Sequence, residues 1–325
     1  MIWCEFLICA ALLTYFAYNL CKEGVVISGK TRMEEGIIGM FFLAVATSFP
    51  EIVTGATAVF SFGRIGLGYG DIAGSVMVNF MILLILDYYV GRGRILLRVS
   101  RLNRLTGFFV LIVISIVLSV AVLRSQVAAF PAINGVGVES VLIAGVYFIY
   151  LGIIRKTGSS DHSGIYSSGD EPFWEVWAKF TLLLLIVMFL GMWMAKIGDK
   201  IVSVTGFSQT FTGTLLLGLA TSLPEIIVSF AALRAGSVDM AVGNILGSNL
   251  FDVCIIPFLD VLSKRPILGM LTPGQMTATV LVLLLSVVAV LGLFLKRDTT
   301  RRIGWDTGLI FAMGFAGFVL LYFVR

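Results

Sequence analysis

Apolar runs long enough to cross a bilayer follow one another along nearly the whole chain, and that succession limits the fold more than any other feature. They fall at residues 2–21, 36–60, 67–90, 105–123, 132–154, 173–197, 208–233, 238–262, 272–295 and 303–324. Crossing the hydrocarbon takes about 20 mostly apolar residues. In that medium only helices and closed barrels satisfy their own backbone. The spacing predicts an all-α polytopic membrane protein with ten transmembrane helices. Composition agrees: 13% of residues are charged, against about 25% in soluble domains. The opening "MIWCEFLICAALLTYFAYNL" lacks a basic n-region and a convincing cleavage site, so it is expected to stay as the first helix.

The long polar gap is 155–172, "RKTGSSDHSGIYSSGDEP", rich in glycine and serine. It divides the chain into a first unit, 1–154, a linker loop, 155–172, and a second unit, 173–325. The loops after the odd-numbered spans carry fifteen lysines and arginines and the opposite side seven, with Lys179 inside a span and left out. The positive-inside rule then places the first side, and the linker, in the cytoplasm. Both termini are expected outside, in a cell or inner membrane. The basic residues are scattered between apolar blocks, which excludes a nucleic-acid surface. Cys4, Cys9, Cys21 and Cys254 form no CxxC pair and the one histidine, His162, sits in the linker, so zinc and redox sites are not expected.

One segment occurs twice. "GMFFLAVATSFPEI" (39–52) aligns without a gap on "GTLLLGLATSLPEI" (213–226), with eight of fourteen positions identical. Next, "GDIAGSVMVN" (70–79) matches "GNILGSNLFD" (243–252), with the offset falling from 174 to 173; Asp87 and Asp260 keep the second offset. Each unit holds five spans, an odd number, so the second copy enters the membrane from the opposite side. That is an inverted repeat, an arrangement in which matching residues meet near the bilayer middle.

The repeated residues share one chemistry. Pro50 and Pro224 lack an N–H, so the carbonyls of Ala46 and Ala220 lose their helical partners. Thr47 and Glu51, Thr221 and Glu225, Ser75 and Asn79, and Ser248 and Asp252 are each four apart and share helix faces. Pooled, the donors are all oxygen, which suits a hard cation such as Ca²⁺ or Na⁺. Each carboxylate near mid-membrane costs about 2.5–3.5 kcal/mol, too much for mere scaffolding. Plain proline kinks, back-bonded hydroxyls and glycine packing each explain one residue. None explains the joint recurrence in inverted register. No lysine or arginine lies in 36–60 or 208–233 to neutralise the glutamates.

On the two "ATS[FL]PE" runs with "GDIAGSVMVN" and "GNILGSNLFD", the chain resembles the calcium/cation antiporter superfamily, the sodium/calcium exchanger fold. The four spans that carry these motifs make up about a third of the chain. The resemblance implies alternating access, with the first and sixth helices sliding across the other eight. It implies a calcium site on Glu51, Glu225, Thr47 and Thr221. It implies sodium sites drawing on Ser48, Ser75, Ser222, Ser248, Asn79, Asp252 and the carbonyls of Ala44 and Gly218. Asp71 replaces the amide of Asn244 and Val76 replaces Asn249. Asp71 is read first as a helix N-terminal residue facing water, and second as a cation-attracting charge at an entrance.

The expected function is Ca²⁺/Na⁺ antiport with no organic cofactor and no obligate protein partner. Proton or potassium coupling on the same scaffold is the alternative; the absent "GNxxEH" signature lowers the proton branch, and Asp252 leaves the co-ion open. An intramembrane zinc protease would need HExxH and an aspartyl protease a catalytic Asp pair; the chain has no HExxH, and its duplicated acids are glutamates, so an enzyme is not expected. A passive channel is the third rival.

Overall fold

The computed structural model describes residues 1–30, 45–91, 95–127, 131–133, 135–157, 172–295 and 303–324. The helices are α1 (Ile2–Lys30), α2 (Phe49–Phe60), α3 (Ile65–Val90), α4 (Arg101–Gln126), α5 (Val138–Thr157) and α6 (Phe173–Thr205). They continue with α7 (Gln209–Arg234), α8 (Val238–Ser263), α9 (Pro273–Phe294) and α10 (Trp305–Phe323). Among the described residues nine helices are long and apolar enough to span a membrane, and α2 is a shorter apolar helix. The protein is an all-α polytopic membrane protein.

Three boundaries differ from the sequence reading. Ala132–Ile133 pairs antiparallel with Val136–Gly137 as a small hairpin, and α5 starts only at Val138. Gly135 turns that hairpin with φ of 84°, in the left-handed region that glycine adopts freely. The helix α1 runs on to Lys30, past the apolar stretch. Lys22 lies 4.6 Å over the Tyr18 ring, which lets its charge be carried on the helix. The prolines, read as mid-helix breaks, stand in the first turn of a restarted helix at Phe49 and at Leu223, where the missing N–H costs least.

Two apolar clusters hold the fold. One joins α3, α4, α8, α9 and α10, through residues such as Met77, Val110, Leu250, Leu285 and Leu321. The other joins α1 to α6, through Leu13, Leu20, Val187 and Met194, and reaches Ala58, Leu67 and Leu217. Between the helices of the core the backbones come very close. A Cβ on Gly74 of α3 would overlap the Thr214 carbonyl of α7, and one on Gly218 would stand 2.7 Å from the Gly74 carbonyl carbon. Only glycine fits such a seam.

Two buried aspartates tie the core ends. Asp87 accepts the N–H of Ile95 at 2.9 Å, the N–H of Gly304 at 2.8 Å and the Thr307 hydroxyl at 2.7 Å. Asp260 accepts the N–H of Ile267 at 2.8 Å, the Ser140 hydroxyl at 2.6 Å and the Gly137 N–H at 3.3 Å. Each closes the start of a 3₁₀ turn beyond its own helix and holds the start of α10 or α5 in the opposite sequence unit.

Candidate cation site

The site is built on two broken helices and two unbroken ones. The chain bends at Ser48 (φ −87°, ψ 9°) and again at Ser222 (φ −83°, ψ 1°), one residue past the threonine of each motif. The bend turns Thr47 and Ser48, and Thr221 and Ser222, inward beside the glutamate of the next turn. Upstream of the second bend, Thr212–Leu217 is a π-helical turn, a local widening of the helix frequent at functional sites. Across from the bends, α3 carries Asp71, Ser75 and Asn79 at steps of four, and α8 carries Asn244, Ser248 and Asp252 likewise. Both rows are buried.

Contacts cross between the two units in matching pairs. Thr47 Oγ1 lies 3.1 Å from Ser248 Oγ, and Ser75 Oγ lies 3.2 Å from Thr221 Oγ1. Ser48 also crosses, donating to Glu225 Oε1 at 3.4 Å, while Ser75 donates to Glu51 Oε1 at 3.4 Å within the first unit. The residues that the motifs mark therefore do converge: Thr47 with Ser248, Ser48 with Glu225, and Ser75 with both Glu51 and Thr221 make up a buried hydroxyl–carboxylate cluster. Asn79, Asp252 and Ser222 are buried with it and make no hydrogen bond through their free side-chain atoms. The Gly218 carbonyl accepts the Ser222 N–H at 3.2 Å, and a carbonyl oxygen keeps a second lone pair. Ala44 lies outside the described residues.

Many oxygens here have no protein partner. Glu51 Oε2, Glu225 Oε2, both Asp252 oxygens, Asn79 Oδ1 and Ser222 Oγ are buried and unbonded. Buried polar atoms are nearly always paired, so this set of buried unpaired acceptors is a candidate site for a cation. The helices α2, α3 and α8 carry no lysine or arginine, and α7 carries only Arg234, at its end. The ion pairs Arg64–Asp199, Arg124–Glu139 and Lys200–Glu5 lie near helix ends, away from these acids. Among the described residues no three acidic, cysteine or histidine side chains close up to metal-ligand geometry in this arrangement. Hydroxyls bridge the carboxylates instead.

Asp71 corrects the sequence reading. It is fully buried, in the second turn of α3, and does not face water. Its Oδ1 accepts the Thr221 hydroxyl at 3.1 Å. The step of four from Asp71 to Ser75 to Asn79 carried that information; a residue continuing a buried stripe is itself expected to be buried. Asn249, buried with both amide atoms unbonded, was singled out only as a difference between the copies.

Comparison with known proteins places these features. A family model described as "Sodium/calcium exchanger protein" matches residues 1–155 and 175–324. CaxA of Alkalimonas amylolytica is 25% identical over 302 residues, covering 88% of each chain. Among solved structures, a sodium–calcium exchanger, NCX_Mj, superposes with a TM-score of 0.60 at 22% identity, covering 98% of this chain and 99% of the other. An H⁺/Ca²⁺ exchanger, CAX, superposes with a TM-score of 0.71 at 11% identity, covering 99% and 85%.

Proposed function

Since this chain belongs to the sodium/calcium exchanger protein family, we propose that it is a secondary active antiporter exchanging Ca²⁺ for Na⁺ across the membrane by alternating access. One observation carries the reading. The two ATS[FL]PE bends and the two buried stripes gather carboxylates, hydroxyls and amides whose free oxygens find no partner in the protein. Oxygen-only donors select hard cations, and flexible many-oxygen coordination favours Ca²⁺ over Mg²⁺, which sheds water reluctantly.

In this proposal Glu51 and Glu225 neutralise one Ca²⁺, with Thr47 and Thr221 completing its shell. Sodium ions take the same carboxylates together with Ser48, Ser75, Ser222, Ser248, Asn79, Asp252 and the carbonyls of Ala44 and Gly218. Sharing of oxygens couples the ions: the network cannot hold calcium and a full sodium load at once. The pairing of α1 with α6 in their own apolar cluster supports a rigid pair that slides over the rest. Units 1–154 and 173–325, joined by a cytoplasmic 155–172 linker, act as inverted five-helix repeats with both termini outside. The work is transport and not catalysis, energised by the ion gradient with no organic cofactor, and the partners are inorganic cations and the bilayer.

The test is calcium uptake into proteoliposomes with Na⁺, K⁺ and H⁺ gradients imposed one at a time. Uptake driven by Na⁺ alone is expected. Uptake driven by protons without sodium, or a requirement for K⁺, replaces the counter-ion. If Glu51→Gln and Glu225→Gln both leave the flux intact, the site assignment is wrong.

A further inference from the structure

The two copies of the motif are not equivalent at one buried position. In the second copy, Asn244 donates its amide to the Ser229 hydroxyl at 3.1 Å and to the Glu225 carbonyl at 3.5 Å. In the first copy the matching pair is Asp71 and Gly55. Both partners have changed together: the amide has become a carboxylate, and the hydroxyl that satisfied it has gone. A carboxylate only accepts, and Asp71 meets one hydroxyl, that of Thr221, on Oδ1. Its Oδ2 is fully buried with no partner.

Asp71 also belongs electrically to the cation network. Thr221 Oγ1 joins it to Ser75, and Ser75 joins Glu51. With Asp71 the network holds four buried carboxylates on helices whose one basic residue is Arg234, at the end of α7. One Ca²⁺ balances two of them.

We propose that Asp71 is a further cation ligand, a carboxylate that with the Thr221 hydroxyl holds one additional monovalent cation beside the position between Glu51 and Glu225. The inference rests on the antiporter reading for its place in the cycle, but cation binding itself does not depend on it. One carboxylate with a hydroxyl matches a single positive charge; a divalent ion would need a second acid at that spot. The extra ion sits on the α3 face that meets the seam with α7, where a Cβ on Gly213 would stand 3.0 Å from the Asp71 nitrogen. Cation occupancy there bears on the α7 helix that carries Thr221 and Glu225.

The experiment has two arms. In the first, purified protein in calcium-free buffer is titrated with NaCl, KCl or LiCl, choline chloride holding ionic strength constant, and its unfolding midpoint is read. Ligand that binds only the folded state stabilises it by an amount that rises with the logarithm of its concentration, and at high cation the slope counts the ions bound; the wild-type slope is expected to be about one ion steeper than that of Asp71→Asn. If Asp71→Asn fails to fold, the double variant Gly55→Ser with Asp71→Asn recreates the satisfied pair of the second copy. A Cβ at Gly55 meets ordinary contacts at 3.8 and 4.0 Å. In the second arm, monovalent ions moved per Ca²⁺ are counted in proteoliposomes from the reversal potential; the variant is expected to move one fewer and still transport Ca²⁺. Equal slopes, or no cation-dependent stabilisation of wild type, overturns the proposal. Absence of wild-type calcium flux with the slope difference intact defeats the antiporter reading and leaves the Asp71 ligand standing.

Discussion

Arg124→Met is expected to destabilise the fold far more than its single lost charge suggests. Arg124 donates through Nε to Glu139 Oε1 at 2.8 Å and through Nη2 to Glu139 Oε2 at 2.9 Å, and adds a bond to the Pro131 carbonyl at 3.2 Å. The two side chains are 8% and 0% exposed. At an effective dielectric of 20, unit charges about 4 Å apart attract by about 4 kcal/mol. Removing one member of a buried pair costs about 3–5 kcal/mol, because the other charge is left in the interior. The two routes agree on about 4 kcal/mol for Arg124→Met, with Glu139→Leu similar. The double variant removes both charges and leaves methylenes in their place, so it is expected within about 1–2 kcal/mol of wild type. Unfolding in mixed micelles titrated with SDS, followed by far-UV circular dichroism, measures all four proteins. A single-variant cost under about 1 kcal/mol would mean that water reaches the pair. A double variant as damaged as the sum of the singles would mean that the two charges are not coupled. Either result refutes the desolvation argument.

Other outcomes follow from the same geometry. Arg64→Ala breaks an ion pair whose side chains are 33% and 27% exposed, and is expected to cost at most about 1 kcal/mol in the same titration. Asp87→Ala strands two buried N–H groups and a hydroxyl, at about 1–3 kcal/mol each; Asp260→Ala should match it, and a large difference between the two would break the correspondence of the units. Gly74→Val drives a side chain into the Thr214 carbonyl and is expected to abolish both folded yield and calcium flux in membranes, whereas Gly145→Val, with nothing within 4 Å of its Cβ, is expected to leave both intact. In a cysteine-free background, a membrane-impermeant maleimide added outside is expected to label Ser61→Cys and to miss Ala235→Cys; the reverse pattern inverts the proposed topology.

Much of this was legible because it was written twice. A single TSFPE tells little, but its recurrence with Glu51 and Glu225 in register marked the bends, the facing glutamates and the hydroxyls of α3 and α8 before any coordinates. Helix existence followed from apolar length alone. Boundaries did not: α1 extends to Lys30, past the end of its apolar run, because helix geometry can continue where window hydropathy falls. The π turn at 212–217 has no residue code, since any apolar stretch can carry an i→i+5 bond when a neighbouring backbone presses on it. Asp71 was misplaced because proximity to a helix start was given more weight than the four-residue step it shares with Ser75 and Asn79. Asp87 and Asp260 were seen to correspond, yet their partners Gly304, Thr307, Gly137 and Ser140 lie in the other unit, and no local pattern points to them.

The Asp87 clasp also has a place in time. Gly304 and Thr307 are 217 and 220 residues further along the chain. At translation speeds of 5–20 residues per second, roughly 10–40 s separate the synthesis of this acid from the arrival of the groups that satisfy it. Until the last helix enters the membrane, the nascent protein carries a carboxylate that must keep contact with water or with the insertion machinery. Completion of the core is thereby reported by the final helix, and a chain that lacks it presents quality control with an acid left with only its Ile95 bond at the end of its most buried helix.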